Sequence, residues 1–348
     1  MPGLLSPGAS GHPNFCGPNG GIRSGPTGLR DMKTELTEAT ICGIGLDVGG
    51  TKIAGGLVTP EGKIISRRVI PTLPQRGGEA VLQEAFALAV SLRDDALAVG
   101  LSVRAVGIGV GELVDLQGNV ASAQTIPWRD VPVQKRFADL APAVVEADSR
   151  AAAFCEAKFG AGRNLRIFLY VTIGTGIGSS LVLDGVPYAG ARGSSGTLAS
   201  SPLTTRCAEC GTVLRPVLEQ ISSGPAIVAR YNELARTSVA NGEEVLGAAA
   251  AGDRHAVHVV QIAAEALGAT VGLLVNVLDP EAIVVGGGLG TAGGVFWERF
   301  VASTREHIWS ETQRDLPIAI AEYANNAGFV GAAALALRKF QPGVTGER

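Results

Sequence analysis

The sequence predicts an α/β protein whose two domains share a cleft, and three observations support this prediction. The chain has 348 residues, which is too long for one ordinary hydrophobic core. Its share of hydrophobic residues is 46% and its share of charged residues is 18%, as in a well-filled globular interior. From residue 41 onward, short apolar runs alternate with helical patterns, and this alternation is typical of α/β folds.

The first predicted elements are three strands joined by glycine turns. Residues 41–48 (ICGIGLDV), 53–59 (IAGGLVT) and 63–72 (KIISRRVIPT) are strand-like runs separated by turn residues, which favours an antiparallel meander. Residues 79–92 carry apolar side chains at helical spacing. The next buried strand and its loop are predicted at 103–115 (VRAVGIGVGELVD).

The second half of the chain repeats the alternation of strands and helices. PAVVEADS (142–149) predicts a strand that ends at an aspartate, and RAAAFCEAKFG (150–160) predicts an alanine-rich helix after it. The remaining predicted elements are two strands around a glycine turn (166–188), helices at 217–236 and 254–278, a strand that enters three glycines (280–290), and a strand with a closing helix (318–340).

Residues 1–39 differ from the rest of the chain. They are rich in Gly, Pro and Ser and show no apolar periodicity, so they cannot bury enough surface to become ordered. They also lack the apolar core of a signal peptide. We therefore predict a disordered tail.

Charge and cysteine usage indicate the partners and the compartment. Lys and Arg number 29 against 32 Asp and Glu, a net charge of -3, so there is no basic footprint for nucleic acid or an acidic membrane. No uninterrupted apolar run approaches the roughly 20 residues that span a bilayer. Five cysteines without a secretory signal indicate reduced thiols. The sequence predicts a cytoplasmic protein whose partners are small molecules.

Three glycine-rich turns each follow an apolar strand: Asp47–Lys52 (DVGGTK), Gly174–Gly178 (GTGIG) and Gly286–Gly288. Glycine lets backbone N–H groups approach a phosphate without a Cβ in the way. An Asp such as Asp47 can hold a hydrated Mg²⁺, and Thr51 can donate to a phosphate oxygen. The turns together predict a nucleotide-phosphate clamp. Its residues are Asp47, Gly49, Gly50, Thr51, Lys52, Gly174, Thr175, Gly176, Gly286, Gly287 and Gly288.

Glycine-rich turns also occur in plain hairpins, in dinucleotide-binding fingerprints and in P-loops. Any single turn is equally consistent with a plain hairpin. A dinucleotide-binding fingerprint requires a helix directly after the glycines, whereas SSLVLDGVPY (179–188) follows GTGIG with the pattern of a strand. No G-x-x-x-x-G-K-[ST] run occurs in the sequence, which excludes a P-loop. The clamp therefore rests on three turns at strand ends, not on one.

Six segments, in their order and spacing, resemble the ROK (repressor, ORF, kinase) family of the sugar kinase, heat-shock protein and actin superfamily. They lie between Gly43 and Lys339 and read GIGLDVGGTK, VGIGV, PAVVEADSRAAAFCEAKFGAG, VTIGTGIG, AIVVGGGL and NNAGFVGAAALAL. The resemblance implies an actin-like ATPase fold of the ribonuclease H-like type, with a central cleft. It also implies ATP and Mg²⁺ as cofactors and a homodimer as the assembly.

The same resemblance places the domain limits. It implies an N-terminal actin-like domain at 40–146, completed by a C-terminal helix at 326–341. The C-terminal actin-like domain then covers residues 147–325.

Asp148 is the predicted catalytic base. Phosphoryl transfer needs a group that takes the proton of the attacking hydroxyl. Asp148 ends a predicted strand and precedes a helix, where its carboxylate can face a cleft. An Asp in that place can also serve only as an N-cap. In ROK kinases the catalytic Asp belongs to an Asn-Asp pair at this position, so the resemblance favours catalysis.

The acceptor side departs from the family pattern. Ala147 replaces the Asn before the catalytic Asp, while Thr197 and Ser200 replace the Glu and His that hold the anomeric end of the sugar in similar kinases. Gly111-Glu112 replaces Pro-Gly, and Gln124-Thr125 replaces Pro-Asn. Glu219 matches a further sugar-contacting glutamate of similar kinases. The predicted substrate-binding residues are Gly111, Glu112, Thr125, Ala147, Thr197, Ser200 and Glu219.

These departures bear on which ring is phosphorylated. A site built to bind particular hydroxyls rejects rings that leave its polar groups unpaired. The pattern therefore favours transfer to a hydroxyl, the primary one, of an amino sugar or a carbocyclic polyol (a cyclitol). One alternative is a glucokinase or another common hexokinase. A second is a non-catalytic, sugar-sensing ROK protein, although a repressor needs a helix-turn-helix before Ile41 and the Gly/Pro-rich tail shows no such pattern.

Cys207 and Cys210 correspond to part of a zinc motif. ROK proteins often hold a structural zinc with one His and three Cys, whereas this chain has Cys207-Ala-Glu-Cys210 and Ser200 in place of the His. Two thiolates are half of a tetrahedral shell. We expect a plain loop with free thiols. The alternative is a zinc ion completed by ligands from a second subunit.

Overall fold

A computed structural model describes residues 41–207 and 209–341 of the chain. The tail predicted for residues 1–39 lies outside the described residues. Within them, the chain forms two five-stranded sheets and one two-stranded ladder, with helices packed on both large sheets.

The first sheet has the strand order β3-β2-β1-β4-β5. Its elements and the helices between them are β1 (Ile41–Val48), β2 (Lys52–Val58), β3 (Ile64–Pro71), α1 (Gly78–Ala98), β4 (Ser102–Val110), α2 (Val133–Phe137) and β5 (Ala143–Ala147). The first three strands are antiparallel neighbours, whereas β1, β4 and β5 are parallel. Val48 is paired with Val110, and Val110 with Ala147. The turns after these three strands therefore begin at one edge of the sheet.

The second sheet has the strand order β12-β11-β6-β7-β8. The elements of this half are α3 (Asp148–Phe159), β6 (Ile167–Ile173), β7 (Ile177–Leu183), β8 (Val186–Pro187), β9 (Thr205–Arg206), β10 (Val213–Leu214), α4 (Glu219–Ser222), α5 (Gly224–Ala235), α6 (Gly242–Ala250), α7 (Arg254–Leu278), β11 (Ala282–Gly286), α8 (Gly294–Glu306), β12 (Ile318–Ile320) and α9 (Ala327–Lys339). β11 is parallel to β6, with Gly286 paired to Thr172. The glycine turns after β6 and β11 therefore lie at the same edge.

Each large sheet has its own hydrophobic core. In the first, Leu46 of β1 and Leu92 of α1 are fully buried together with Trp128. In the second, the inner face of α7 packs against α8 and the sheet. Among the helices of residues 41–207 and 209–341, only α7 is long and apolar enough to compare with a membrane span. Because its inner face is buried in the protein, these properties are those of a core helix.

α9 lies directly on the first sheet, although it follows the second sheet in sequence. A Cβ at Gly45 of β1 would overlap the Phe329 carbonyl, and one at Gly107 of β4 would overlap the Ala332 carbonyl. The absence of side chains at these strand positions lets the helix backbone approach the strands closely. α9 also packs against α3, so it fixes α3 relative to the first sheet.

The predicted elements agree with the structure, with exceptions mainly in the helical region of the second half. The antiparallel meander, the alanine-rich helix and the strands that lead into glycines are all present. The single helix predicted at 217–236 is wrong, because α4 ends before Ser223, whose backbone is extended and whose hydroxyl caps α5. α2, α6, α8 and the short strands β9 and β10 were not predicted. α8 begins directly after Gly293, which has a positive φ of 72° and resembles a turn signal in the sequence.

Candidate active site

Asp47 lies near the end of β1, and its side chain is half-buried. Burial raises its pKa to about 7, the negative charge of Asp148 adds to this rise, and the Lys52 ammonium opposes it. A Cβ at Gly328, in the first turn of α9, would overlap the carboxylate. Glycine at 328 therefore leaves room for Asp47 in the wall of a cleft.

Asp148 is the first residue of α3, where β5 ends. The N-cap position is Ala147, and the Asp148 carboxylate accepts the Ser149 N–H at 2.6 Å. Burial raises the pKa of Asp148 to about 6, and the Glu112 charge adds to the rise, whereas the Ser149 N–H and Arg150 lower it. A simple N-cap role does not describe this residue, because Asp148 lies one position inside the helix and keeps a second carboxylate oxygen for other partners.

The two carboxylates share one cleft with the glycine turn after β1. A Cβ built on Gly111 would lie 3.6 Å from Asp148 Oδ2 and 3.9 Å from the Cα of Gly49. Gly111 therefore lies between the Asp148 carboxylate and the glycine turn at Gly49, and the predicted base is close to the predicted phosphate clamp. The residues that line the cleft are Asp47, Lys52, Asp148, Ser149, Ala152, Tyr170, Thr172, Gly287, Ala324, Asn325, Ala327 and Gly328.

The turns from the two sheets face one another. The hydroxyl oxygens of Thr51, after β1, and Thr175, after β6, are 3.5 Å apart. The first turn is closed by the Gly49 N–H, which donates to the Lys52 carbonyl at 3.1 Å. The second is closed by the Gly174 N–H, which donates to the Gly176 carbonyl at 2.9 Å. Two of the three predicted phosphate turns thus meet across the cleft.

The third glycine turn follows β11 and contributes Gly287 to the cleft. Gly287 has a φ of 80°, and a Cβ there would overlap the Ile173 carbonyl. A Cβ at Gly286 would overlap the Tyr170 hydroxyl, while one at Gly288 would meet no described atom within 4 Å. Packing against β6 therefore requires glycine at the first two positions, and Gly288 leaves open space beside them.

Glu219, predicted to bind the acceptor, lies against the turn after β6. Its carboxylate accepts the Ile177 N–H at 2.9 Å, and a Cβ at Gly176 would lie 2.9 Å from the same oxygen. Glu219 begins α4, whose short length places it directly before α5. It therefore holds a turn of the phosphate clamp.

Glu112 has a different role from the substrate contact predicted for it. The side chain is 6% exposed. Its carboxylate accepts the Ser122 hydroxyl and the backbone N–H groups of Gln124, Thr125 and Ile126, at 3.0, 2.5 and 2.7 Å for the three amides. Four donors fill the acceptor capacity of a carboxylate. The prediction of a direct substrate contact is therefore corrected to one of support for the 122–126 loop.

The residues that replace the family's Glu and His lie in a short turn after Gly196. Thr197 is exposed, and the Ser200 hydroxyl donates to the Thr197 carbonyl at 2.8 Å. Neither is among the described residues that line the cleft around Asp148. The turn is held by Arg150 of α3, whose buried guanidinium donates to the Gly193 carbonyl at 2.7 Å. This link ties the turn to the helix that carries Asp148.

The cleft residues around the start of α9 were not predicted from the sequence. Ala324, Asn325 and Gly328 line the cleft, and Ala324 adopts a φ of 43°, which is rare for a residue with a side chain and is found most often at functional sites. The buried Glu156 carboxylate of α3 holds this segment by accepting the Tyr323 N–H at 2.8 Å. The Asn-Asn-Ala-Gly sequence before the helix was the only local signal.

Cys207 and Cys210 lie in the turn between β9 and β10. The Cys210 thiol lies 3.1 Å from the Thr212 hydroxyl. This hydrogen bond, with backbone and Cys207 contacts, lowers the pKa of Cys210 to about 7. Within residues 41–207 and 209–341, no group of three or more His, Cys, Asp or Glu could hold a metal ion.

The cleft fits a nucleotide with its magnesium ion. Asp47 and Asp148 are both half-buried, and the charge of Asp148 raises the pKa of Asp47. A hydrated divalent cation would relieve the cost of burying these charges together. The glycine turns bring the Thr51 and Thr175 hydroxyls together, and their glycines add no side chains there, which leaves room for phosphate oxygens.

Two sheets whose glycine turns meet beside a cleft lined by two half-buried carboxylates define an actin-like α/β protein. Residues 43–339 match the model of the ROK family, and the chain belongs to this family. It is similar to a crystal structure of a ROK family glucokinase from Streptomyces griseus in complex with glucose and AMPPNP, with a TM-score of 0.76 and 30% identity, covering 85% of this chain and 99% of that one. The predicted fold is confirmed.

The sequence relatives are named as kinases of two different sugars. The chain is 31% identical to a glucokinase from Streptomyces coelicolor, over 84% of this chain and 96% of the relative. It is 29% identical to an N-acetylmannosamine kinase from Citrobacter koseri, over 84% of this chain and 98% of the relative. Both relatives are named sugar kinases, and they differ in the sugar.

Proposed function

We propose that this chain is an ATP-dependent kinase whose acceptor is an amino sugar or a carbocyclic polyol, phosphorylated on its primary hydroxyl. The observation that supports it most directly is the position of Asp148. This half-buried carboxylate lies beside Gly111 and lines the same cleft as Asp47 and Gly287, which belong to the first and third glycine turns. A base next to a phosphate clamp is the arrangement that phosphoryl transfer needs.

The mechanism follows from the roles of the chain's own residues. Asp148 accepts the proton of the acceptor hydroxyl, the acceptor oxygen bonds to the γ-phosphorus, and the bond from that phosphorus to the β,γ-bridging oxygen breaks to leave ADP. The Thr51 and Thr175 hydroxyls donate to the phosphate oxygens, and Asp47 would hold a hydrated Mg²⁺. When bound, Mg²⁺ neutralises charge that develops on the phosphates. The cleft walls exclude water and so limit ATP hydrolysis.

The choice of acceptor rests on the residues that face the ring in similar kinases. Ala147 and Thr197 cannot make the contacts of the Asn and Glu that they replace, and the Ser200 hydroxyl already donates within its own turn. Fewer fixed partners for the anomeric end favour a ring that is altered there. The relatives, named as kinases of glucose and of N-acetylmannosamine, support a carbohydrate-like acceptor and leave its ring open.

The test is an ADP-release assay with ATP, Mg²⁺ and a panel of glucose, N-acetylmannosamine, free amino sugars and cyclitols. We expect at least one amino sugar or cyclitol to exceed glucose in kcat/KM. Asp148→Asn should lower kcat about 10²- to 10⁴-fold, the usual contribution of a general base. The matched control is Asp139→Asn, at a surface aspartate paired with Arg136, which should stay within about twofold.

Two results would contradict the proposal in different ways. If glucose exceeded every amino sugar and cyclitol, the acceptor assignment would be wrong and a glucokinase would be indicated. If the wild-type chain released no ADP with any polyol, the kinase itself would be refuted in favour of a sugar-sensing protein.

A further inference from the structure

The 122–126 loop is fixed on its inner side by several buried groups. Ile126 and Trp128 are fully buried, and the Trp128 indole N–H donates to the Gly78 carbonyl at 2.8 Å. The Ser122 hydroxyl, which donates to Glu112, also accepts the Leu113 N–H at 2.8 Å. The loop backbone is therefore held on its inner side, by apolar anchors at one end and by the Glu112 carboxylate along its length.

The outer side of the same loop is open. Gln124 and Thr125 are exposed, although their backbone N–H groups both bind the buried Glu112 carboxylate. The loop thus presents two free side chains from a rigid backbone. This combination is typical of a recognition loop, because a ligand that binds it need not order it first.

Thr125 also contacts the phosphate clamp. A Cβ at Gly50 would lie 2.5 Å from Thr125 Cγ2, so the threonine methyl fills the space that a side chain at 50 would need. Gly50 precedes Thr51, whose hydroxyl lies 3.5 Å from that of Thr175. A continuous set of contacts therefore runs from the Glu112 carboxylate through Thr125 to the turns that meet across the cleft.

We propose that Glu112 is a positioning residue for the acceptor, which fixes Gln124 and Thr125 at a set distance from Asp148 and the phosphate clamp. The inference rests on the proposed function. A carboxylate suits this task because charge-assisted hydrogen bonds are short and strong, and because small displacements of a substrate-positioning group cost large factors in rate or binding. Glutamine has the same shape but only one accepting oxygen, so it leaves loop donors facing an NH₂ group.

The experiment compares Glu112→Gln with Ser122→Ala, which removes one of the four donors and is milder. For each, KM for ATP and KM for the best acceptor of the panel are measured, together with acceptor Kd by calorimetry without nucleotide. We expect Glu112→Gln to raise acceptor KM and Kd about tenfold, as for the loss of hydrogen bonds to a charged group. Ser122→Ala should raise them about threefold. KM for ATP should stay within about twofold in both.

The matched control is Asp115→Asn in the same loop region. Asp115 is also a carboxylate that accepts backbone N–H groups, from Gln117 and Asn119 at 2.9 and 2.8 Å. It belongs to an exposed turn, and these two amide partners lie outside the 122–126 loop. We expect its acceptor KM and Kd to remain within about twofold of wild type.

The inference is overturned if Glu112→Gln changes acceptor KM by less than about twofold, or raises KM for ATP as much as acceptor KM. An unchanged Ser122→Ala would also overturn it, because loss of one of the four donors to Glu112 would then leave acceptor binding unaffected. If Glu112→Gln does not fold, the change of acceptor KM relative to KM for ATP in Ser122→Ala supports or overturns the inference.

Failure of the proposed function is seen separately. If wild type phosphorylates no acceptor, hydrogen exchange at the amides of residues 124–126 still tests the loop. Faster exchange in Glu112→Gln than in Asp115→Asn supports positioning by the carboxylate, and equal exchange refutes it.

Discussion

The nucleotide side and the acceptor side of the cleft differ in how closely they keep the family pattern. On the nucleotide side, Asp47 and all three glycine turns are present, and packing forbids a side chain at Gly286 and Gly287. On the acceptor side, Ala147 and Thr197 have lost the polar groups of similar kinases. The phosphates are the same for every acceptor, whereas the ring is what distinguishes one kinase from another. Under the proposed function, this difference would place acceptor specificity on one side of the cleft.

The strongest test of this comparison is Asp47→Asn. If the nucleotide side acts alike on all acceptors, loss of the charge that orients the metal should lower kcat about 10³-fold or more with every ring, because electrostatic stabilisation is a large part of catalysis. The measurement is kcat for the two best acceptors of the panel, with Mg²⁺ titrated.

Asp95→Asn serves as the control for this variant. Asp95 pairs with Arg68 at the surface, and its loss should change kcat less than about twofold. If the decrease of kcat in Asp47→Asn depended strongly on the acceptor, the comparison would be wrong, because the nucleotide side would then also contribute to the choice of acceptor.

A smaller effect is expected when the family residues are restored on the acceptor side. The triple variant Ala147→Asn, Thr197→Glu and Ser200→His should raise kcat/KM for glucose relative to the native acceptor by about tenfold or more, because each restored polar group recovers a hydrogen bond worth about a factor of ten at most. Steady-state kinetics with both acceptors measures the ratio.

The comparison for this variant is Thr197→Val, which changes the same turn without adding a polar group and should leave the ratio within about threefold. If the triple variant folds, binds ATP normally and keeps the wild-type preference, specificity is not determined at these three positions.

The smallest effect concerns stability without ligands. The pKa of Asp148 is raised to about 6 by burial, so the folded state holds this proton more tightly than the unfolded state. Stability from this group is therefore greatest below pH ~4 and is lost as pH rises to about 6. Asp148→Asn removes the buried charge and should raise Tm by about 4 °C at pH 8 and by less than about 1 °C at pH 4.

Thermal unfolding in EDTA at the two pH values measures the difference. A variant that is equally stabilised at both pH values, or destabilised at pH 8, would show that the buried charge is not costly. With Mg²⁺ and nucleotide the wild type should gain more than the variant, because the ligands compensate the charge.

The prediction from sequence succeeded where the signals were local. Strand, glycine turn and helix follow one another within each motif, so the positions of Asp47 and Asp148 at strand ends could be inferred from the chain alone. The break at Ser223 was missed because an N-cap between two helical runs can be mistaken for continuous periodicity. α8 was missed because the glycines at its start resemble a loop.

The acceptor side was predicted less well because it depends on contacts between distant segments. Glu112 was predicted to contact the substrate, but the partners of its carboxylate lie at 122–126, in a loop without regular pattern. Asn325 and Gly328 reach the cleft only because α9 returns to the first sheet. No sequence window contains both Gly328 and Asp47, so their proximity could not be inferred from residue types.

The return of α9 to the first sheet has a consequence for biosynthesis. β1 leaves the ribosome before the second sheet is translated. The surface around Gly45 and Gly107 stays uncovered until α9 has been translated, after the entire second sheet. N-terminal regions of multidomain chains usually fold first during synthesis. Here the first half can only reach an intermediate with an uncovered apolar face, and nascent chains stalled before Ala327 should bind chaperones.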